Sequence, residues 1–207
     1  MLLFAIKGNG QNNNFDPYSS WGVKQGINYS YVLFSPSIPQ NLNFNYTGGL
    51  VYKYQNQKRA GLQLELNYSQ KGWVENIDTV GDSYSRKLDY IELPIMTHIV
   101  LGKRNLKYYA NLGMTFSYLL SEKEKLSIKI NENRKEFYEK AVDHKFDYSI
   151  LGEAGIVFDT KIGAFQSGVR FQWTLTDLFK STSETIIKQS QNCVLSFSVC
   201  YFFGNTK

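Results

Sequence analysis

Few residues in this chain have the chemistry for covalent catalysis. Its 207 residues include 2 histidines and 2 cysteines. Asp143-His144 has the order of an acid–histidine pair, but Glu139, Lys140 and Lys145 around it mark a solvated, charged loop. His98 falls on the polar side of an alternating segment, away from any serine it could activate on the apolar side. Cys193 and Cys200 lie seven positions apart in one alternating segment. That odd spacing puts them on opposite faces, so no disulfide is expected between them. No cysteine–histidine spacing suits zinc, and no glycine-rich loop suits a phosphate. We therefore expect no catalytic, cofactor-binding or metal-binding residues, and no enzyme. The remaining residues of chemical interest are charges set among small polar neighbours: Lys24, Lys53, Glu65, Glu92, Lys107, Glu153 and Arg170.

The elements that must position these charges are strands, because the dominant signal is period-two alternation. Eight segments show it: about Trp21–Leu33, Asn45–Gln55, Ala60–Gln70, Leu88–Leu101, Leu106–Leu120, Asp147–Asp159, Ile162–Leu175 and Asn192–Phe203. In the third, Leu62, Leu64, Leu66 and Tyr68 oppose Gly61, Gln63, Glu65, Asn67 and Ser69. In the seventh, Phe165, Val169, Phe171 and Trp173 oppose Ala164, Gln166, Gly168, Arg170 and Gln172. Pro94 interrupts the fourth, because proline cannot donate to a ladder, and a bulge or local break is expected there.

The connections alternate in length. Gln55–Arg59, Gly102–Asn105 and Thr160-Lys161 are short, whereas Phe34–Phe44, Lys71–Lys87, Ser121–Phe146 and Thr176–Gln191 are long. Short turns at one end and long loops at the other match the bacterial barrel plan, with the short turns periplasmic. About twelve residues per strand, at ~3.4 Å each and a ~40° tilt, rise roughly 30 Å, enough to cross the apolar core of a bilayer. Trp21, Tyr54, Tyr68, Tyr118, Tyr148, Trp173 and Tyr201 near strand ends suit interfacial girdles. The expected fold is an all-β, eight-stranded antiparallel up-and-down transmembrane β-barrel over residues 21–203. An N-terminal segment, 1–20, precedes it and a short tail, 204–207, follows.

Composition agrees. Aromatic residues make up 15% of the chain, with 15 Tyr and 14 Phe, and only 4 Pro interrupt it. No apolar run approaches the ~18 residues of a transmembrane helix. The net charge of +5 is scattered, which argues against nucleic acid as a partner. Met1–Ile6 is apolar but too short for the core of a signal peptide, and it has no basic start. That leaves either the remnant of a signal peptide or an ordinary N-terminus, and the polar Gly8–Asn14 run reads as flexible either way.

The same strands could build a soluble barrel with an apolar, ligand-holding interior. Two features oppose that. The polar face is mostly Gly, Ser, Thr, Asn and Gln rather than the dense charge of a soluble surface. The bulky side chains lie on the opposite face, and a narrow lumen needs small ones. Apolar side chains are therefore expected to face lipid. Buried charges of both signs must then pair inside. Around a Thr160-Lys161 turn, Glu153 falls opposite Gly168 and one diagonal step from Arg170, with Glu92 at a similar height. We expect Arg170, Glu153, Glu92 and Glu65 to form an interior charge network that plugs the barrel. A gated pore or proton path is the alternative. The long loops are where binding belongs. Ser121–Phe146 could extend as a hairpin through the alternating Leu126–Ile130, open to strand addition.

Several segments resemble the PorT-like outer-membrane β-barrel family of the Bacteroidota. They are Gly22–Asn28, Leu64–Gly72 and Leu88–Ile95, with later agreement at Gly113, Tyr118–Leu120, Gly152–Gly155, Arg170, Leu175–Leu178 and Val199–Phe203. The resemblance covers about Trp21 to Phe203 and rests mainly on the second and third segments together. It implies a location in the bacterial cell outer membrane and offers no catalytic residues. The family's namesake takes part in type IX protein secretion, and most members have no assigned role. Asp78-Thr79-Val80 also fits the short O-glycosylation pattern of that phylum. The expected function is a non-enzymatic outer-membrane protein with a structural or protein-interaction role. Membrane lipid, and envelope or secretion proteins, are the expected partners; no cofactor or small-molecule substrate is expected. A subunit of a secretion or envelope complex and a soluble ligand-binding barrel are the alternatives.

Overall fold

The computed structural model describes residues 15–41, 43–75, 83–102, 105–127, 141–179 and 189–204. Eight long strands follow in order: β1 (Tyr18–Ser35), β2 (Asn43–Gln55), β3 (Ala60–Glu75), β4 (Ser83–Leu101), β5 (Leu106–Ser127), β6 (Phe146–Thr160), β7 (Gly163–Thr174) and β8 (Gln189–Phe203). Each pairs antiparallel with its sequence neighbour, and β1 pairs with β8, so the sheet closes into a ring. A two-residue strand, Gln40–Asn41, adds to β3. Closure removes every free edge within the ring, so each backbone N–H and C=O there can find a partner without water.

The side chains divide as the alternation dictates. Ile95 is 39% exposed and Phe171 48% exposed on the outer wall, while Asn28, Glu65, Asn67, Thr115, Ser149 and Gln172 are buried inside. The chain therefore does not take the soluble alternative, which needs the apolar face within. Outward aromatics gather toward both ends. Trp21, Tyr54, Tyr108 and Phe158 lie toward the short turns; Tyr68, Tyr118, Tyr148 and Phe44 lie toward the long connections. Val23, Leu50, Leu66, Leu93, Leu112 and Val169 fill the band between them. The lumen is not uniformly small and polar, however. Tyr84, Tyr90, Tyr109, Trp73 and Phe202 point inward and are buried, on a face expected to be mostly small and polar.

Several boundaries differ from the sequence expectation. β1 begins at Tyr18, inside the segment assigned to the N-terminus, and the described part of the tail is Gly204. The hairpin of β3 and β4 runs to Glu75 and from Ser83, and β5 continues to Ser127, so the beginnings of two expected loops are strand, as is the end of the first. At ~3.4 Å per residue and ~40° tilt, β5 alone rises on the order of 55 Å, well beyond the hydrocarbon. Above the bilayer both faces of a strand meet polar surroundings, and the alternation that marks a strand in sequence fades. Leu126–Ser127 are within β5; residues 128–140, Asp78-Thr79-Val80 and 1–14 lie outside the described residues.

Two irregularities shape the ladder. At Pro94 the β3–β4 pairing skips from Leu64↔Ile95 to Asn67↔Glu92 without a change of register, the expected local break. The bulge lies elsewhere: in the β4–β5 pair the register shifts between Asp89↔Ser121 and Tyr90↔Leu119, leaving Leu120 unpaired. An extra residue inverts which side chains face in beyond it. Past the bulge, Glu122 and Glu124 lie opposite the inward Leu88 and Arg86, and Lys123 lies opposite the outward Lys87.

Candidate functional site: layers of side chains in the lumen

From the short-turn end upward, the lumen holds a floor, an ionic crossbar, a second ionic layer and a lid. The floor is the buried cluster of Val51, Tyr109, Val157, Ala164, Cys200 and Phe202. Lys53 Nζ stands 3.9 Å from the centre of the Phe202 ring. His98 Nδ1 lies 2.7 Å from Asn111 Oδ1, and its ring packs beside Tyr109 at 5.6 Å. That histidine is held by an amide and an aromatic ring, not by a nucleophile. Lys107 pairs with Asp159 at the mouth.

The crossbar is centred on Arg170. Its Nε donates to Glu153 Oε2 at 2.7 Å, and Nη2 also reaches Glu153. Nη1 donates to Glu65 Oε2 at 2.9 Å and Nη2 to Glu65 Oε1 at 2.7 Å. The guanidinium fork thus spans two carboxylates on opposite sides of the lumen. Lys24 Nζ adds a 3.0 Å bond to Glu65 Oε2, while Gln63 and Asn67 each donate to that same carboxylate at 2.8 Å. Tyr109 Oη donates to Glu153 Oε1, tying the floor to the crossbar. Two cations meet two anions, all buried, so the group is neutral as well as hydrogen-bonded.

Glu92 is not part of this crossbar. Its Oε1 lies 2.5 Å from Lys71 Nζ and accepts from Gln172 Nε2 at 3.2 Å and Ser117 Oγ at 3.3 Å, one layer higher. The reason is register. The β6–β7 turn is Lys161-Ile162, one residue further on than expected, so Glu153 pairs directly with Arg170 rather than with Gly168. Glu65, across the lumen, supplies the second carboxylate. Lys71 lies one residue past the strand end expected at Gln70, and the strand runs on to Glu75. The signal was present: Lys71, Trp73 and Glu75 continue the inward set of β3. Asp147 also sits in this upper layer, buried, with neither carboxylate oxygen hydrogen-bonded within the described structure.

The lid is larger than the floor. Val32, Trp73, Tyr84, Leu88, Tyr90 and Leu119 from the strands pack with Val142, Leu178 and Phe179 from the loops. Arg86 is buried among them, its guanidinium carbon 5.6 Å from the Trp73 ring and 5.5 Å from the Phe179 ring, and it pairs with Glu124. Backbone bonds pin the two loops together: the amides of Asp143 and His144 both donate to Leu178 O, at 3.1 and 3.3 Å. Asp143-His144 thus belongs to the rim of the lid. Among the described residues no group of three or more His, Cys, Asp or Glu is placed to hold a metal ion. Cys193 and Cys200 are free thiols.

The chain is similar to the crystal structure of Ail, the attachment invasion locus protein of Yersinia pestis, at 11% identity and TM-score 0.45, covering 89% of this chain and 99% of that one. It is similar to the outer membrane protein OprG of Pseudomonas aeruginosa at 12% identity and TM-score 0.49, covering 89% and 94%. It is also similar to the outer membrane enzyme PagL at 10% identity and TM-score 0.47, covering 88% and 98%. No curated protein sequence matches it. Residues 9–180 match the family described as "Outer membrane protein beta-barrel domain". With a closed ring of eight antiparallel strands and an apolar outer wall, the chain belongs to that family of β-barrels, and its place is the bacterial outer membrane.

Proposed function

We propose that this protein is a non-enzymatic, non-conducting barrel that anchors a protein-binding or structural platform at the cell surface. The observation that supports this reading is the stack of paired charges and buried aromatic side chains within the lumen. Floor, crossbar, second ionic layer and lid follow one another up the lumen, and an eight-stranded barrel is narrow enough for side chains to fill it. A barrel filled along its length leaves the extended β3–β4–β5 region and the loops as the parts free to act. Envelope or secretion proteins are the partners we propose.

A closer relation to the PorT-like barrels of the Bacteroidota, and with it membership of a type IX-like secretion complex, is the second reading. What favours it is that the two segments carrying the resemblance, Leu64–Gly72 and Leu88–Ile95, are paired neighbours in β3 and β4. They supply Glu65, Lys71 and Glu92 to the lumen. Two measurements test these readings. Planar-bilayer recordings of the purified barrel should show no steady channel, and reproducible unit conductance would overturn the sealed lumen. Cross-linking in native membranes followed by mass spectrometry should recover envelope proteins in stoichiometric amount. Recovery of the barrel alone would remove the interaction role and the secretion-complex reading together.

A further inference from the structure

We infer that the outer wall of the β4–β5 hairpin, just above the aromatic girdle, carries a binding site for the phosphate groups of the phosphorylated glycolipid in the outer leaflet. A like-charge pair stands on this wall. Lys87 of β4 and Lys123 of β5 are directly opposed across the ladder, and both are exposed on the outer face. Lys125, also exposed, is the diagonal neighbour of Lys87 on that face. Lysines directly opposite one another repel, so the arrangement is unfavourable unless an anion lies between them. Across β3 the partner of Lys87 is Gly72, which adds neither charge nor bulk.

The bulge at Leu120 makes this arrangement. With unbroken alternation after Tyr118, Lys123 and Lys125 would point into the lumen and Glu122 and Glu124 outward. The extra residue exchanges them. The acids go to Arg86, which pairs with Glu124 and lies 3.9 Å from Glu122, and the lysines go to the wall. The acid on the wall beside them is Asp89. It is already held by Gln70 Nε2 at 3.0 Å and Ser121 Oγ at 2.9 Å, and Gln70 also donates to Tyr68 Oη at 3.0 Å. Three ammonium groups thus share one engaged carboxylate, and among the described residues none of the three forms an ion pair.

Height selects the ligand. Tyr68, Ile91, Tyr118 and the bulged Leu120 are the last large apolar or aromatic residues described on this wall, and the Gln70–Asp89–Ser121 cluster marks the change to polar surface. The Lys87–Lys123 rung is two residues beyond, a rise of about 5 Å at ~40° tilt. The headgroup zone on each side of a bilayer is roughly 5–8 Å deep. Flexible lysine stems therefore place their ammonium groups at phosphate level.

The test uses the full chain refolded in neutral detergent and reads retained lipid by native mass spectrometry, together with the unfolding temperature. Phosphorylated lipid A should be retained by the wild type and by K87R/K123R. K87Q/K123Q should retain it about thirtyfold less, the weight of two surface cations at an anionic membrane. K58Q, altered in a short turn at the far end, should match wild type. Without lipid, K87Q/K123Q should melt above the wild type because the repulsion is gone; with phosphorylated lipid A the order should invert. Equal retention by wild type and K87Q/K123Q would overturn the site, as would equal retention of dephosphorylated lipid A. An equal stabilisation by inorganic phosphate alone would overturn the assignment to lipid.

Discussion

Arg170 illustrates how a charge survives inside a narrow tube. A guanidinium removed from water needs its charge balanced and its donors used, and two carboxylates do both. Removing it leaves Glu153 buried without a cation, while Glu65 keeps Lys24. R170L should therefore lower unfolding stability by about 3–5 kcal/mol, measured by urea titration of the refolded barrel. R170L/E153Q should recover most of that loss, since the orphaned charge is gone. If E153Q brings no recovery, the crossbar is not an electrostatic unit. The pairing of Arg170 with Glu153 is an expectation the alternation alone could raise, because both sit on the polar face of neighbouring strands. The place of Glu65, and the absence of Glu92 from the crossbar, were not legible. They depend on where a two-residue turn falls and on which strands meet across the lumen.

At the scale of elements, a strand's meaning depends on the medium at each height. Leu112 is 64% exposed in the middle of β5, and Ile162 is 70% exposed in the β6–β7 turn. Judged by exposure the two are alike; judged by depth they are not. L112R should cost about 2–4 kcal/mol in folding into bilayers, and I162R about 0–1 kcal/mol, read from reversible unfolding in lipid vesicles. Equal effects would deny that the apolar band meets hydrocarbon. The same dependence explains which strands were legible. Within the bilayer one face must be apolar, so Trp21–Leu33 or Leu106–Leu120 announce themselves. Above it the constraint lapses, and the ends of β3, β4 and β5 passed for loop. The bulge at Leu120 was equally hidden, since a single inserted residue leaves no mark on composition.

For the whole molecule, the consequence of layering is redundancy. Trp73 and Phe179 sandwich Arg86 in the lid, yet the crossbar and the floor lie beneath it. W73A/F179A should therefore leave planar-bilayer recordings silent while lowering thermal stability, as loss of buried aromatic area does. Steady openings in that variant would make the lid the sole barrier. The chain alone determined the number of strands, the face each turns to lipid and the alternation of short and long connections. Those properties follow from neighbours two residues apart and from the thickness of a bilayer. Tertiary structure decided which charges meet and which way the lysines of β5 point. Glu65 and Arg170 stand 105 positions apart in the chain, and Lys24 and Glu65 stand 41. Contacts at that separation are set by the stagger of the closed ring, where one residue of slip moves every side chain to the other face.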